Sequence, residues 1–173
     1  MRRFATFALI LICLASTSAA PHPDELTKQF VGAWRLVSIE GNPPGLVGDY
    51  DRPSGLLIYD PSGRMAVQIV LKADRKPFAP YTKGLLSAAP EEKAAAFASY
   101  AAYFGTYTTD AKAGTVTHHL EDSLTPGRRG TDNVRWFEFQ GNERLALIPM
   151  EDGKGGVIAR KDVTAKLIWQ RLK

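Results

Sequence analysis

The chain has 173 residues, 45% of them hydrophobic, and a formal charge of +4. That is enough for one globular domain with a full core, and the composition argues against disorder. Its one cysteine, Cys13, lies near the N-terminus, so the body of the protein has no disulfide, thiol nucleophile or thiolate metal site.

Residues 1–20 read as a secretory signal. Arg2 and Arg3 form a positive start, Phe4 to Ala15 is an uncharged apolar run, and Ser16 to Ala20 is a small-residue stretch suited to cleavage. The twelve-residue run is shorter than the roughly 17–25 residues of a spanning helix, so cleavage is expected rather than anchoring. Pro21 disfavours the bond after Ala20, which makes the bond after Ala19 an equal candidate. Twin-arginine export is not favoured, since Arg2-Arg3 stands too close to the start. Lipidation at Cys13 is not favoured either, because Ile12 precedes it and Leu14 prolongs the apolar run. Loss of Arg2 and Arg3 lowers the formal charge by two and removes the best support for a nucleic-acid partner. The mature chain, residues 21–173, is expected to be one exported domain without a membrane span, periplasmic or extracellular.

Short β runs cut by turn residues follow in order. They are Ala33–Glu40, then, after a Gly- and Pro-rich loop, Gly55–Tyr59 and Met65–Leu71 around the turn Asp60-Pro61-Ser62-Gly63. A Pro-containing connection, Lys72–Ala89, leads to Pro90–Tyr103. Here an N-terminal Pro, two Glu and an Ala-rich run predict a helix with Phe97, Tyr100, Ala101 and Phe104 on one stripe. Strands resume at Phe104–Thr109, Thr115–Glu121, Asn133–Gln140, Arg144–Pro149 and Thr164–Leu172, the last after a loop at Glu151–Gly156. Eight strands joined mainly as hairpins predict an all-β, antiparallel up-and-down barrel with one helix between the third and fourth strands; an open sandwich is the alternative.

The first strand opens on Gly32-Ala33-Trp34, and the chain closes on Ile168-Trp169-Gln170-Arg171. This Gly-x-Trp opening resembles that of lipocalins. That resemblance implies a Trp34 that closes one barrel end beneath a basic side chain of the last strand, for which Arg171 is the candidate. FVGAWRLVSIE, GLLIYDPSGRMAVQI, YFGTYTTDAKAGTVTHHLEDSL, GTDNVRWFEF and LIWQR together resemble the bacterial and fungal lipocalin-like domain proteins over Phe30 to Arg171. The resemblance implies a barrel with a ligand cavity and no particular reaction. Pro126-Gly127-Arg128-Arg129 departs from it, standing where relatives more often place an aromatic.

The densest polar chemistry is Thr117-His118-His119-Leu120-Glu121. Strand neighbours point to opposite faces, so with Val116 and Leu120 inward, His118 enters the barrel and His119 is solvated. As a residue, His118 is first a core polar group anchored by a tyrosine or glutamine, then a polar ligand contact. As an acid or base, with Tyr107 or Glu121 beside it, it would serve an isomerase- or cyclase-like enzyme acting on a small apolar metabolite. A metal would have to borrow Glu121 or Asp122, a lone histidine does not establish haem, and no cofactor is expected. Arg128-Arg129 reads as a solvated turn. The expected wall of the cavity is Met65, Val67, Tyr107, His118, Phe137 and Leu147, correct only if the strand phase is right by one residue. The leading function is the binding of a small, mostly apolar molecule inside the barrel. The remaining alternative is a solidly packed barrel with a structural or interaction role.

Overall fold

The computed structural model describes residues 23–41, 52–78, 88–150, 162 and 165–173. The signal at 1–20 and the Glu151–Gly156 loop lie outside them. A short helix α1 (Pro23–Phe30) precedes three strands: β1 (Gly32–Glu40), β2 (Ser54–Tyr59) and β3 (Arg64–Val70). Helix α2 (Pro90–Ala98) comes next. Five further strands complete the chain: β4 (Tyr100–Asp110), β5 (Thr115–Ser123), β6 (Asp132–Gln140), β7 (Arg144–Pro149) and β8 (Lys166–Arg171). Each strand pairs antiparallel with its sequence neighbour and β8 returns to β1, closing an eight-stranded up-and-down barrel. Closure leaves no unpaired sheet edge.

Turn chemistry fixes the hairpins at one end. The Asp60 carboxylate accepts the Ser62 N–H at 2.8 Å between β2 and β3. Asp110 accepts the N–H groups of Lys112 and Ala113 between β4 and β5. Such Asx turns set the register of the strands that follow. In β4–β5 the register shifts between Phe104 and Gly105, and a side chain on Gly105 would place its Cβ 1.9 Å from the His119 carbonyl oxygen. Only glycine fits that bulge.

Burial follows strand alternation. Inward-facing Leu57 and Tyr59, Met65, Val67 and Ile69, and Leu145 and Leu147 are buried, whereas Leu56, Ile58 and Gln68 are exposed. Helix α1, absent from the sequence reading, buries Leu26 and Phe30 one helical turn apart. It is anchored to β4 by the Thr27 and Thr109 hydroxyls, 2.9 Å apart.

The predicted helix over Pro90–Tyr103 is corrected in its second half. It has Pro in the first turn and Glu92 accepting the Ala89 N–H, but it ends at Ala98. Tyr100–Tyr103 belong to β4, with Tyr100 opposite Val70 and Tyr103 opposite Val67. Phe97 is 50% exposed and Phe104 48%, while Ala101 packs against the barrel core, so the four expected residues do not form one stripe. Ladder hydrogen bonds to β3 and the inward burial of alternate residues outweigh the helix propensity of alanine. Among the described residues no helix is long and apolar enough to cross a membrane.

Candidate functional site

The end of the barrel marked by the start of β1 and the end of β8 is closed. Gly32 has φ +136°, and a Cβ there would lie 2.8 Å from the Arg171 guanidinium, so glycine opens the space that the arginine fills. Arg171 lies 4.0 Å over the Trp34 ring. It also donates to the carbonyls of Gln29, Val31 and Asn142, each at 2.6 Å. Trp34 Nε1 donates to the Phe30 carbonyl at 2.8 Å. One planar cation thereby ties α1, β1 and the β6–β7 turn together. Above this clamp, Phe30 plugs the barrel. Its ring centroid is 4.9 Å from Phe139, 5.1 Å from Phe137 and 5.2 Å from Tyr59, each in an edge-on arrangement.

On the wall formed by β4, β5 and β6 the interior turns polar. His118 is 1% exposed and bridges two tyrosines: Tyr59 Oη is 2.6 Å from Nε2, and Tyr103 Oη is 3.0 Å from Nδ1. Burial, the Arg135 charge and His119 hold the His118 pKa well below that of a free imidazole, so the ring is neutral. A neutral ring has one donor and one acceptor nitrogen. Neither tyrosine has another hydrogen-bond partner among the described residues; Tyr59 is fully buried and Tyr103 only half-buried, so the favoured tautomer has Tyr59 donate to Nε2 and leaves the spare proton on the more exposed hydroxyl. The Nδ1–H then donates to Tyr103, whose own hydroxyl proton has no acceptor among the described residues. Burial first, then Tyr103 and Tyr107, hold the Tyr59 pKa well above its usual value despite Arg135, which fits a donor.

Beside His118, the inward face of β6 carries Asn133, Arg135, Phe137 and Phe139 in order from the β5–β6 loop to the closed end. Asn133 pairs directly with His118 in the ladder and is 2% exposed. Its Oδ1 accepts Arg128 Nη2, which aims Nδ2 elsewhere, and that nitrogen is buried without a partner. Arg135, opposite Val116 and Pro149, is half-buried. It makes no hydrogen bond or ion pair among the described residues, while its charge reaches both Tyr59 and His118. The other buried orphan donor, Trp169 Nε1, belongs to β8, away from this wall.

Met65, Val67, Tyr107, His118, Phe137 and Leu147 all lie on the inward phase of their strands. The Tyr107 hydroxyl donates to the Asp60 carbonyl at 3.3 Å and Glu121 pairs with Arg64 outside the barrel, so neither serves His118. The residues that do are Tyr59 and Tyr103. His119 faces out between Thr108 and Asp132. Arg128 is no free turn residue, because it caps Asn133. Arg135 and Asn133 escaped the sequence reading although alternation contains them: with Phe137 inward, residues 133 and 135 must be inward too. Among the described residues no three or more His, Cys, Asp or Glu converge as a metal ion needs.

None of the curated proteins matches the chain. Among solved structures, a redesigned beta barrel aligns with TM-score 0.41 and 8% identity over 85% of this chain and 95% of that one, too distant to carry an argument. A family model described as a lipocalin-like domain matches residues 31–172, nearly the whole barrel, and the chain therefore belongs to the lipocalin-like domain family.

Proposed function

We propose that the protein is exported and binds a small, mostly apolar molecule inside the barrel. The observation that carries this is the unequal lining. Apolar side chains face inward on β1, β2, β3, β7 and β8, while one wall concentrates Tyr103, His118, Asn133 and Arg135. Ligand sites combine a mostly apolar surface with a few polar groups that fix orientation, and a barrel of eight strands can hold one small ligand where side chains do not fill it. Membership of the lipocalin-like domain family supports the same reading. Met65, Val67, Tyr107, Phe137 and Leu147 supply the apolar contact in it, with Trp34 and Arg171 structural at the closed end. Export rests on Arg2, Arg3 and the apolar run before Ala20, with cleavage after Ala19 or Ala20.

Mass spectrometry of the protein purified undenatured from its native compartment tests both parts. A co-purifying apolar molecule on a chain beginning at residue 20 or 21 is the expected result. A chain that retains residues 1–19, or a protein that takes up no small molecule, would overturn the corresponding half.

A second reading, an isomerase- or cyclase-like enzyme, draws on the Tyr59–His118–Tyr103 chain, which has the form of a proton relay. Burial opposes it by holding Tyr59 and His118 in their neutral forms. Turnover that disappears in His118→Gln while ligand still binds would favour this reading over simple binding.

A further inference from the structure

Arg135, Asn133 and Tyr103 have one property in common: each presents a donor without an acceptor among the described residues. The Arg135 guanidinium can only donate, and it stands on the inward phase of β6 with no partner among the described residues. Asn133 lies one inward step nearer the β5–β6 loop, its oxygen engaged by Arg128 and its Nδ2 buried and unpaired. Tyr103 receives the His118 Nδ1–H and retains its own O–H. His118 itself is fully used by the two tyrosines and stays neutral, so it adds neither a counter-charge nor a free acceptor. Of these free donors Asn133 Nδ2 is buried, which is costly, and those of Arg135 and Tyr103 are half-buried. A wall that accumulates three of them is complementary to an acceptor-only, negatively charged group.

Resting on the proposed binding of an apolar molecule, we infer that the ligand carries a carboxylate, received by Arg135, Asn133 Nδ2 and Tyr103 Oη while its apolar body lies against the opposite wall. The planar guanidinium matches two carboxylate oxygens side by side. The clamp at the other arginine cannot take this role, since Arg171 already serves three carbonyls.

Octanoate and octanamide test the inference, because they have the same length and shape and differ in charge. Binding inside the barrel is read from the ¹⁵N signals of the His118 ring, and affinity from calorimetry. Both probes are expected to perturb His118, with octanoate binding roughly tenfold more tightly, the size of one charge-assisted contact. Arg135→Met should weaken octanoate far more than octanamide and so remove that preference. Arg135→Lys, a conservative variant should Met disturb the fold, should keep part of it. Equal binding of the two probes, or a preference that survives Arg135→Met, overturns the carboxylate while the binding reading stands. If neither probe reaches His118, the binding reading falls and the inference with it.

Discussion

Two arginines point from the sheet toward the axis of this barrel, and their surroundings are opposite. Arg171, at the closed end, covers Trp34 and donates to three backbone carbonyls. Arg135, on the β6 wall, stands among donors and has no hydrogen-bond or ion-pair partner among the described residues. A cation saturated with internal acceptors is part of the scaffold, because nothing that arrives can improve its position. A cation left without acceptors destabilises the empty protein slightly and is retained for something that arrives. The same side chain is therefore structural at one end and receptive on the other wall, and the contrast can be broken by measurement.

The largest effect belongs to the closed end. Phe30 touches Tyr59, Phe137 and Phe139 edge-on and is fully buried. Phe30→Ala should cost about 3–5 kcal/mol in urea unfolding, as a large core aromatic truncated to a methyl does. Loss below about 1 kcal/mol would mean that α1 is not an integral plug. Arg171→Met comes next, at about 2–4 kcal/mol, since three charge-assisted hydrogen bonds and the stacking on Trp34 go together. Arg171→Lys should recover less than half of that loss, because an ammonium cannot reach three carbonyls in one plane.

These residues also mark how far the sequence could be read. Trp34 and Arg171 were legible as a pair through the resemblance of the Gly-x-Trp opening to that of lipocalins, and the eight strands were legible through their alternation and turn residues. Phe30 was not, for α1 is only eight residues long and its buried face consists of two side chains, Leu26 and Phe30, too few to show a period. Tyr100–Tyr103 misled in the other direction, since local alanine propensity continues into residues whose fate is decided by pairing with β3. His118 was placed by the alternation of β5, but its partners were not. Tyr59 lies 59 positions away in sequence, and its proximity is a product of barrel closure that no local pattern encodes. Arg135 was within reach, since alternation from Phe137 places it inward, but that it lacks a partner among the described residues depends on the surrounding strands.

The neutral His118 gives the wall a pH signature. Its pKa is depressed in the fold by burial, Arg135 and His119, whereas in the unfolded chain it titrates near the ordinary value of about 6.5. The sign follows: above that value neither state binds the proton, and below it the unfolded state binds it first, so stability falls as the pH drops from 6.5 toward the folded pKa. Relative to His118→Gln, whose amide can accept from Tyr59 and donate to Tyr103 without titrating, the native protein should lose stability progressively as the pH falls below 6.5. Parallel pH profiles for the two proteins would show that His118 is not held neutral.

The smallest expected effect is the most discriminating. Replacing Arg135 by Met in the ligand-free protein removes a half-buried charge that has no partner among the described residues, and keeps an unbranched stem. If the charge were satisfied by the scaffold, its loss would cost as Arg171 does. If it is held for a ligand, ligand-free stability should stay within about 1 kcal/mol of the native value or rise, as replacements of buried ions by apolar side chains often show. Urea unfolding of the two variants side by side decides the matter: a large loss at 171 with none at 135 assigns the first arginine to the fold and the second to its ligand, whereas equal losses would make both structural and leave the β6 wall without a receptive group.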